Sequence, residues 1–196
     1  MAKKVLIICG SPRSNGNTMT LCQWAADGAR QAGAEVEIVE AAKLKLKANG
    51  CTACMGCQKS KSFQCQVKDD AAALVGKMPA QDVLVFATPV YFVGVTAQIK
   101  CVMDRMFSLI RHAGAGFELA PGLEKVSFGV IATAGGNEDS GIKHVENQMR
   151  AVGGFLGRPV KTLFLPFAPQ DPRDLAKNTE LKTKALAFGR DLVAGK

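Results

Sequence analysis

The chain has 196 residues, of which 47% are hydrophobic, and its formal net charge is +8. This composition excludes a disordered chain and is enough for one domain, residues 1–196, with a sizeable core. No apolar run is long enough for a membrane span, and no signal-peptide pattern follows Met1, so we expect a cytoplasmic protein without a membrane partner. One Trp and one Tyr provide no stacking platform for bases, so we expect no nucleic-acid partner.

Apolar runs of strand length alternate with segments of helical spacing along the whole chain. The predicted strands are Lys4–Cys9, Glu35–Glu40, Val83–Ala87, Lys125–Thr133 and Val160–Leu165. The predicted helices are 18–32, 70–78, 96–112, 141–155 and 174–193. This alternation predicts a three-layer α/β domain around a five-stranded parallel sheet, which binds its ligands at the carboxyl ends of the strands.

A polar segment rich in cysteine and lysine, at about residues 42–68, is inserted after the second predicted strand. It shows no clear periodicity, and it should emerge at the sheet edge that carries the ligand-binding loops. Its lysines are Lys43, Lys45, Lys47, Lys59, Lys61 and Lys68. They indicate either a solvated basic loop or a surface that steers an acidic redox partner or an anionic dinucleotide.

Four of the seven cysteines lie inside this insertion, in a stretch of fifteen residues: Cys51, Cys54, Cys57 and Cys65. Three cysteines spaced two residues apart, with a fourth nearby, are typical of iron–sulfur ligation. A structural zinc site usually splits into two C-x-x-C pairs, and that split is absent. The alternatives are a loop of reduced cysteines or cysteines that bind zinc adventitiously.

The loop after the first strand, Gly10–Thr18, has the composition of an anion site. It is rich in hydroxyl and amide donors and ends at a predicted helix N-terminus, where backbone N–H groups and the helix dipole favour negative charge. Asn17 stands where a Walker A loop has its lysine, and the loop lacks the G-x-G-x-x-G pattern. We therefore expect a single phosphate monoester; the alternative is an ordinary strand-to-helix turn.

Two more loops follow predicted strands at the same sheet edge. Residues 88–92, Thr-Pro-Val-Tyr-Phe, place an aromatic pair behind a rigid proline, which suits a planar ring. Residues 133–138, Thr-Ala-Gly-Gly-Asn-Glu, contain glycines that allow the backbone to approach a ligand closely. Each loop alone is more often a turn, but together with the phosphate loop they outline one long flat site.

These motifs in this order resemble the flavodoxin-like NAD(P)H-dependent FMN reductase family. The resemblance covers residues 3–166 and includes Lys100 and the Asp104-Arg105 pair, which we interpret as structural charges. The segment 51–70, with its four cysteines, is similar to the iron–sulfur flavoprotein branch of that family. The resemblance implies the strand order 2-1-3-4-5 and FMN as cofactor.

The resemblance also implies roles for individual residues. The phosphate group of FMN would be held by the first loop, and the isoalloxazine ring would lie between the other two. The candidate cofactor-binding residues are Ser11, Arg13, Ser14, Asn15, Gly16, Asn17, Thr18, Pro89, Val90, Tyr91, Phe92, Ala134, Gly135, Gly136 and Asn137. The four cysteines would hold a [4Fe–4S] cluster.

The sequence thus predicts an oxidoreductase that passes electrons between a soluble donor and an acceptor, small molecules or proteins such as a ferredoxin, through FMN and the cluster. The resemblance further implies a homodimer or homotetramer. One alternative is an NAD(P)H-dependent FMN or quinone reductase without a cluster, in which NAD(P)H is a substrate. Another is a non-enzymatic flavin-binding module whose cysteines sense oxidation.

Overall fold

A parallel five-stranded sheet forms the centre of the molecule in the computed structural model, which describes residues 1–60, 62–114 and 116–195. Seven strands run through these residues in chain order: β1 Lys4–Cys9, β2 Glu35–Glu40, β3 Val83–Pro89, β4 Ile110–Ala113, β5 Gly116–Leu119, β6 Ser127–Thr133 and β7 Val160–Leu165. The sheet order is β2-β1-β3-β6-β7. The predicted order is confirmed, because β6 and β7 are the fourth and fifth strands of the sheet.

The α-helices of the described residues are α1 Asn17–Gln31, α2 Gly56–Lys59, α3 Asp70–Lys77, α4 Ala97–Arg105, α5 Ile142–Phe155, α6 Pro172–Leu175 and α7 Thr179–Ala194. Side chains of the sheet alternate between two cores. Leu6 and Ile8 of β1 point into a core shared with α3, α4 and α5. Val5 and Ile7 point into a second core shared with α1 and α7. These two cores make the three layers, and no helix of the described part is long and apolar enough to cross a bilayer.

Two predicted helices differ from the observed ones. The helix predicted over 96–112 ends at Arg105, a 3₁₀ turn follows, and residues from Ile110 onward form the β4–β5 hairpin. The helix predicted over 174–193 is divided into α6 and α7. The break lies at Asn178, whose side chain accepts the backbone N–H of Leu181 at 2.9 Å and so caps a new helix.

Helices α1 and α7 approach so closely that only glycine fits at their crossing. A Cβ atom at Gly189 would lie 1.9 Å from the carbonyl oxygen of Ala25, and one at Gly28 would lie 2.0 Å from that of Leu186. Both obstacles are backbone atoms, which cannot rotate away. Any side chain at either position must therefore push the helices apart.

We expect Gly189→Ala to lower the free energy of unfolding by about 2–3 kcal/mol, because the added methyl group overpacks the helix crossing. The matched control is Gly76→Ala in α3, where a Cβ would meet no atom within 4 Å. That control should be neutral or stabilising by about 0.5–1 kcal/mol, because alanine is the better helix former. Urea unfolding of both variants measures the difference, and equal stabilities would contradict the packing argument.

Candidate functional site

The carboxyl ends of the sheet strands border an open cleft of about 220 Å³. It lies where the loops after β1, β3, β6 and β7 meet. The cleft is lined by Ser11, Arg13, Gly16, Asn17, Thr18, Pro89, Val90, Tyr91, Thr133, Ala134, Gly135, Ala168, Pro169, Gln170 and Pro172. Three predicted loops therefore contribute to one cavity.

The N-terminus of α1 opens into this cleft without a competing anion. Gly16 is the N-cap residue and provides no capping side chain, and the first turn contains no acidic residue. The exposed cation Arg13 lies beside it. Unpaired N–H groups, the helix dipole and a guanidinium are together a suitable environment for a phosphate.

Hydrogen bonds fix the side chains at the floor of the cleft. Ser11 Oγ accepts the backbone N–H of Arg13 at 3.1 Å, and the hydroxyls of Thr18 and Thr133 share a buried hydrogen bond of 2.8 Å. Asn17 Nδ2 donates to the carbonyl of Pro169 at 2.7 Å. Asn17 Oδ1 is buried and has no partner among the described residues. A ligand hydroxyl would satisfy this acceptor.

Ser14 and Asn15 do not line the cleft, although both were predicted as cofactor-binding residues. They border a neighbouring hollow beside α6. Ser14 Oγ donates to Glu40 Oε2 at 2.6 Å, and Lys43 Nζ donates to Glu40 Oε1 at 2.7 Å. Lys43 and then Ser14 lower the pKa of the Glu40 carboxyl. Glu40 thereby connects the phosphate loop to the start of the cysteine-rich insertion.

The loop after β3 brings Pro89, Val90 and Tyr91 to the cleft, whereas Phe92 points into solvent with its whole side chain exposed. A tight turn causes this, because Tyr91 and Gly94 exchange backbone hydrogen bonds of 3.0 and 3.1 Å. Phe92 and its neighbour Val93 adopt positive φ angles of 45° and 70° in that turn. Such angles are strained for residues with side chains, and the strain lies at the rim of the cleft.

The loop after β6 also lines the cleft with only some of its residues. Ala134 and Gly135 line the cleft, and a Cβ at Gly135 would meet nothing within 4 Å, so a ligand has room there. Gly136 and Asn137 do not line it. The carbonyl of Gly136 accepts the N–H of Phe167 at 2.9 Å, and Asn137 Oδ1 accepts the N–H of Ser140 at 2.9 Å.

The loop after β7 forms one wall of the cleft, which the sequence patterns above do not predict. Residues 166–172 follow β7, and four of them line the cavity: Ala168, Pro169, Gln170 and Pro172. The N–H of Ala168 donates to the carbonyl of Ala134 at 2.8 Å, which holds this loop against the loop after β6. The signal was present in the sequence, since Pro-Phe-Ala-Pro-Gln-Asp-Pro directly follows the last strand and strand ends of this kind carry ligand sites.

The four clustered cysteines lie at the surface. Cys51 and Cys54 are exposed, and Cys57 and Cys65 are half-buried. The backbone N–H of Gly56 and then the Thr52 side chain lower the pKa of the Cys54 thiol. In the described ranges, no group of three or more His, Cys, Asp or Glu side chains is arranged closely enough to hold a metal ion.

The side chain of Arg105 and the β4–β5 hairpin, both outside the insertion, hold it in place. The buried side chain of Arg105 in α4 donates to Cys65 Sγ at 2.8 Å and to Asp69 Oδ2 at 2.6 Å. The β4–β5 hairpin holds the middle of the insertion, where Gln58 Nε2 donates to the carbonyl of Ile110 at 2.7 Å and Gln58 Oε1 accepts the N–H of His112 at 3.2 Å. Asp104 and Arg105, which we expected to be structural charges, therefore form separate ion pairs. Arg105 pairs with Asp69, and Asp104 pairs with Lys100.

Comparison with known proteins identifies the family. Residues 3–166 match the profile of the NADPH-dependent FMN reductases. The chain belongs to this family. It is 34% identical over 146 residues to an iron–sulfur flavoprotein of Methanocaldococcus jannaschii, an alignment that covers 74% of this chain and 70% of the relative. It is 30% identical over 165 residues to an iron–sulfur flavoprotein of Archaeoglobus fulgidus, with 69% of this chain and 73% of the relative covered. The chain therefore lies in the iron–sulfur flavoprotein branch of the family.

Solved structures agree with the fold of this chain. The NAD(P)H:quinone oxidoreductase from Methanothermobacter marburgensis superimposes with a TM-score of 0.71 at 17% identity, with 98% of both chains covered. Membership of the family confirms three predictions from the sequence: the flavodoxin-like fold, FMN as cofactor and an oxidoreductase activity.

Proposed function

We propose that this protein passes electrons between a soluble donor and an acceptor by means of FMN and a [4Fe–4S] cluster bound to the same chain. The observation that carries the proposal is that one chain has both a cleft with an uncapped helix N-terminus at the carboxyl edge of its sheet and a four-cysteine insertion that begins at this edge, after β2. Glu40, at the end of β2, contacts both the loop after β1 and the start of the insertion, since it accepts hydrogen bonds from Ser14 and Lys43.

The chemistry of the cleft fits FMN. We propose that the phosphate binds the N-terminus of α1 with Ser11, Arg13 and Thr18, and that Asn17 Oδ1 accepts a ribityl hydroxyl. The ring would lie against the backbone at Gly135, where there is open space. The predicted contacts of Ser14, Asn15, Phe92, Gly136 and Asn137 are not part of this proposal, because these residues do not line the cleft.

The donor set of the insertion fits an iron–sulfur cluster. Cys51, Cys54, Cys57 and Cys65 supply the thiolates that such clusters require. Hydrogen bonds from Gly56 and then Thr52 lower the pKa of the Cys54 thiol and so favour its thiolate form. At Cys65, the guanidinium of Arg105 donates to Sγ at 2.8 Å. The proposal rests on this donor chemistry and on the iron–sulfur flavoproteins among the relatives, and not on a closed ligand shell.

FMN exchanges one or two electrons and a cluster one at a time, so the bound pair can connect one-electron carriers with two-electron substrates. The surface around the cysteines suits an acidic protein carrier. Residues 42–68 contain six lysines and no Asp or Glu, and Lys45, Lys47, Lys59 and Lys68 are exposed. The positive electrostatic potential of such a surface raises the rate at which a negatively charged partner associates.

The alternative function is an NAD(P)H-dependent FMN or quinone reductase in which the cysteines hold no cluster. Anaerobic stopped-flow measurements of flavin absorption separate the two functions. The holoprotein is mixed either with an acidic ferredoxin reduced by dithionite and freed of excess reductant, or with NADH or NADPH. We expect fast reduction by the ferredoxin, slowed on the order of tenfold when salt rises from about 0.05 to 0.5 M.

Charge reversal locates the docking surface. Lys59→Glu should lower the second-order rate constant with the ferredoxin about three- to tenfold. The same reversal at Lys182 in α7, outside the insertion, should change it little. Rapid reduction by NAD(P)H, together with no salt-dependent reaction of the ferredoxin, would favour the reductase alternative.

A further inference from the structure

Arg105 is a charged side chain in an unusual position, since only 1% of it is exposed to solvent. It projects from the C-terminal end of α4 into the base of the cysteine-rich insertion. A buried arginine normally needs partners for its charge and its N–H donors. Arg105 has them at Nη1 and Nη2, while Nε has none among the described residues. The partners of Arg105 therefore indicate why it is buried there.

The guanidinium of Arg105 contacts both flanks of the cysteine cluster. At the end of the cluster, Nη1 donates to Sγ of Cys65, the last of the four cysteines, at 2.8 Å and to the carbonyl of Val67 at 3.3 Å. Before them, Nη2 donates to the carbonyl of Ala48 at 3.5 Å. One planar group thus brings together the beginning and the end of the segment that carries the four thiols.

Asp69 completes this arrangement. Its carboxylate accepts Arg105 Nη2 at 2.6 Å, the backbone N–H of Lys47 at 3.0 Å and that of Ala72 at 3.0 Å. It therefore caps α3 and, like Arg105, links residues on both sides of the cysteines. With three of its hydrogen bonds satisfied in this way, Asp69 fixes the guanidinium in the orientation that reaches Cys65.

We propose that Arg105 is a positioning residue for the cluster: it fixes Cys65 as the fourth ligand and makes the reduction potential of the cluster less negative. This inference rests on the proposed function. A charged N–H donor on a ligating sulfur stabilises the extra negative charge of the reduced cluster, and hydrogen bonds to sulfur are among the factors that set cluster potentials. A lysine would keep the charge and lose the planar fork that contacts both flanks.

The test compares Arg105→Lys and Arg105→Gln with the control Arg111→Gln. Arg111 also anchors the insertion, through the carbonyl of Ser60 at 3.0 Å and the ring of Phe63 at 4.4 Å, but it contacts no cysteine sulfur. Spectroelectrochemical titration of the anaerobic holoprotein measures the potentials of cluster and FMN in one sample. The FMN potential serves as the internal reference, because the cleft does not include Arg105.

We expect both Arg105 variants to shift the cluster to a more negative potential while the FMN potential stays in place. Arg105→Gln should also lose iron to a chelator about 10- to 100-fold more readily, as is typical when a partner of a metal ligand is removed. Arg111→Gln should leave the cluster potential unchanged. If Arg105→Gln does not fold, Arg105→Lys decides the question.

Unchanged cluster potentials in the Arg105 variants, or an equal shift in Arg111→Gln, would overturn the inference and leave the proposed function intact. Absence of iron and sulfide from the unaltered protein would instead overturn the proposed function. The two failures are therefore distinguishable in the same set of samples.

Discussion

Cys54→Ala is expected to abolish the binding of iron and acid-labile sulfide, while the FMN content remains unchanged. A cubane cluster needs about four protein ligands, and alanine offers none. Cys54 is exposed, so its loss leaves no cavity in either core. The cleft contains none of the four cysteines, so FMN binding should not depend on them.

Cys101→Ala is the matched control for this prediction. Cys101 is a half-buried thiol in α4, outside the insertion. The two variants are purified anaerobically, reconstituted with iron and sulfide, and assayed for iron, sulfide and FMN per chain. If Cys54→Ala retained as much iron and sulfide as Cys101→Ala, Cys54 would not be a ligand.

Arg13→Glu is expected to raise the dissociation constant of FMN about 100-fold. The substitution replaces a cation by an anion beside the phosphate site, and each charge interaction of this kind near a protein surface amounts to about 1–4 kcal/mol. Arg13 is exposed, so the free energy of unfolding of the FMN-free protein should change little. Flavin fluorescence titration of FMN-free protein measures the affinity.

Two controls separate a phosphate contact from a general effect of charge. Arg190→Glu in α7 makes the same change in net charge outside the cleft and should leave FMN affinity within about twofold, because distant surface charges are screened. Riboflavin, which lacks the phosphate, should bind Arg13→Glu about as well as the unaltered protein. An equal loss of riboflavin and FMN affinity would show that Arg13 does not act on the phosphate.

The sheet and the strand-to-helix loop that precedes α1 were predictable because their signals are local. The run Val5–Ile8 is apolar at every position, as expected for a parallel strand buried on both faces. Five predicted strands, each followed by a helix or a loop, leave few topologies open. Since parallel strands align their carboxyl ends, loops far apart in sequence could be expected to meet at one cleft.

The β4–β5 hairpin could not be predicted because the helical pattern continues past the end of α4. Val102, Met106 and Leu109 keep spacings of four and three residues, and the 3₁₀ turn preserves this face. The chain becomes extended only at Ile110, whose carbonyl accepts the side chain of Gln58. Gln58 and Ile110 are 52 positions apart in the chain, so the local strand or helix propensity of either segment cannot predict their contact.

Long-range partners also decide which side chains of the loops face the cleft. Ser14 has the chemistry of a phosphate ligand, but Glu40, 26 positions away, holds its hydroxyl outside the cleft. Arg105 and Cys65 are 40 positions apart, so their contact was likewise invisible in the sequence. The residue types of the site were readable, whereas the orientation of each side chain depended on tertiary contacts.

The central claim is that one chain carries both FMN and an iron–sulfur cluster. The most direct test is to measure iron, acid-labile sulfide and FMN on protein purified without oxygen, together with its absorption spectrum. We predict about four iron atoms, four sulfides and one FMN per chain, the composition of a flavoprotein with a [4Fe–4S] cluster. FMN without iron or sulfide, even after anaerobic reconstitution, would contradict the claim and leave a flavin reductase whose cysteines serve another purpose.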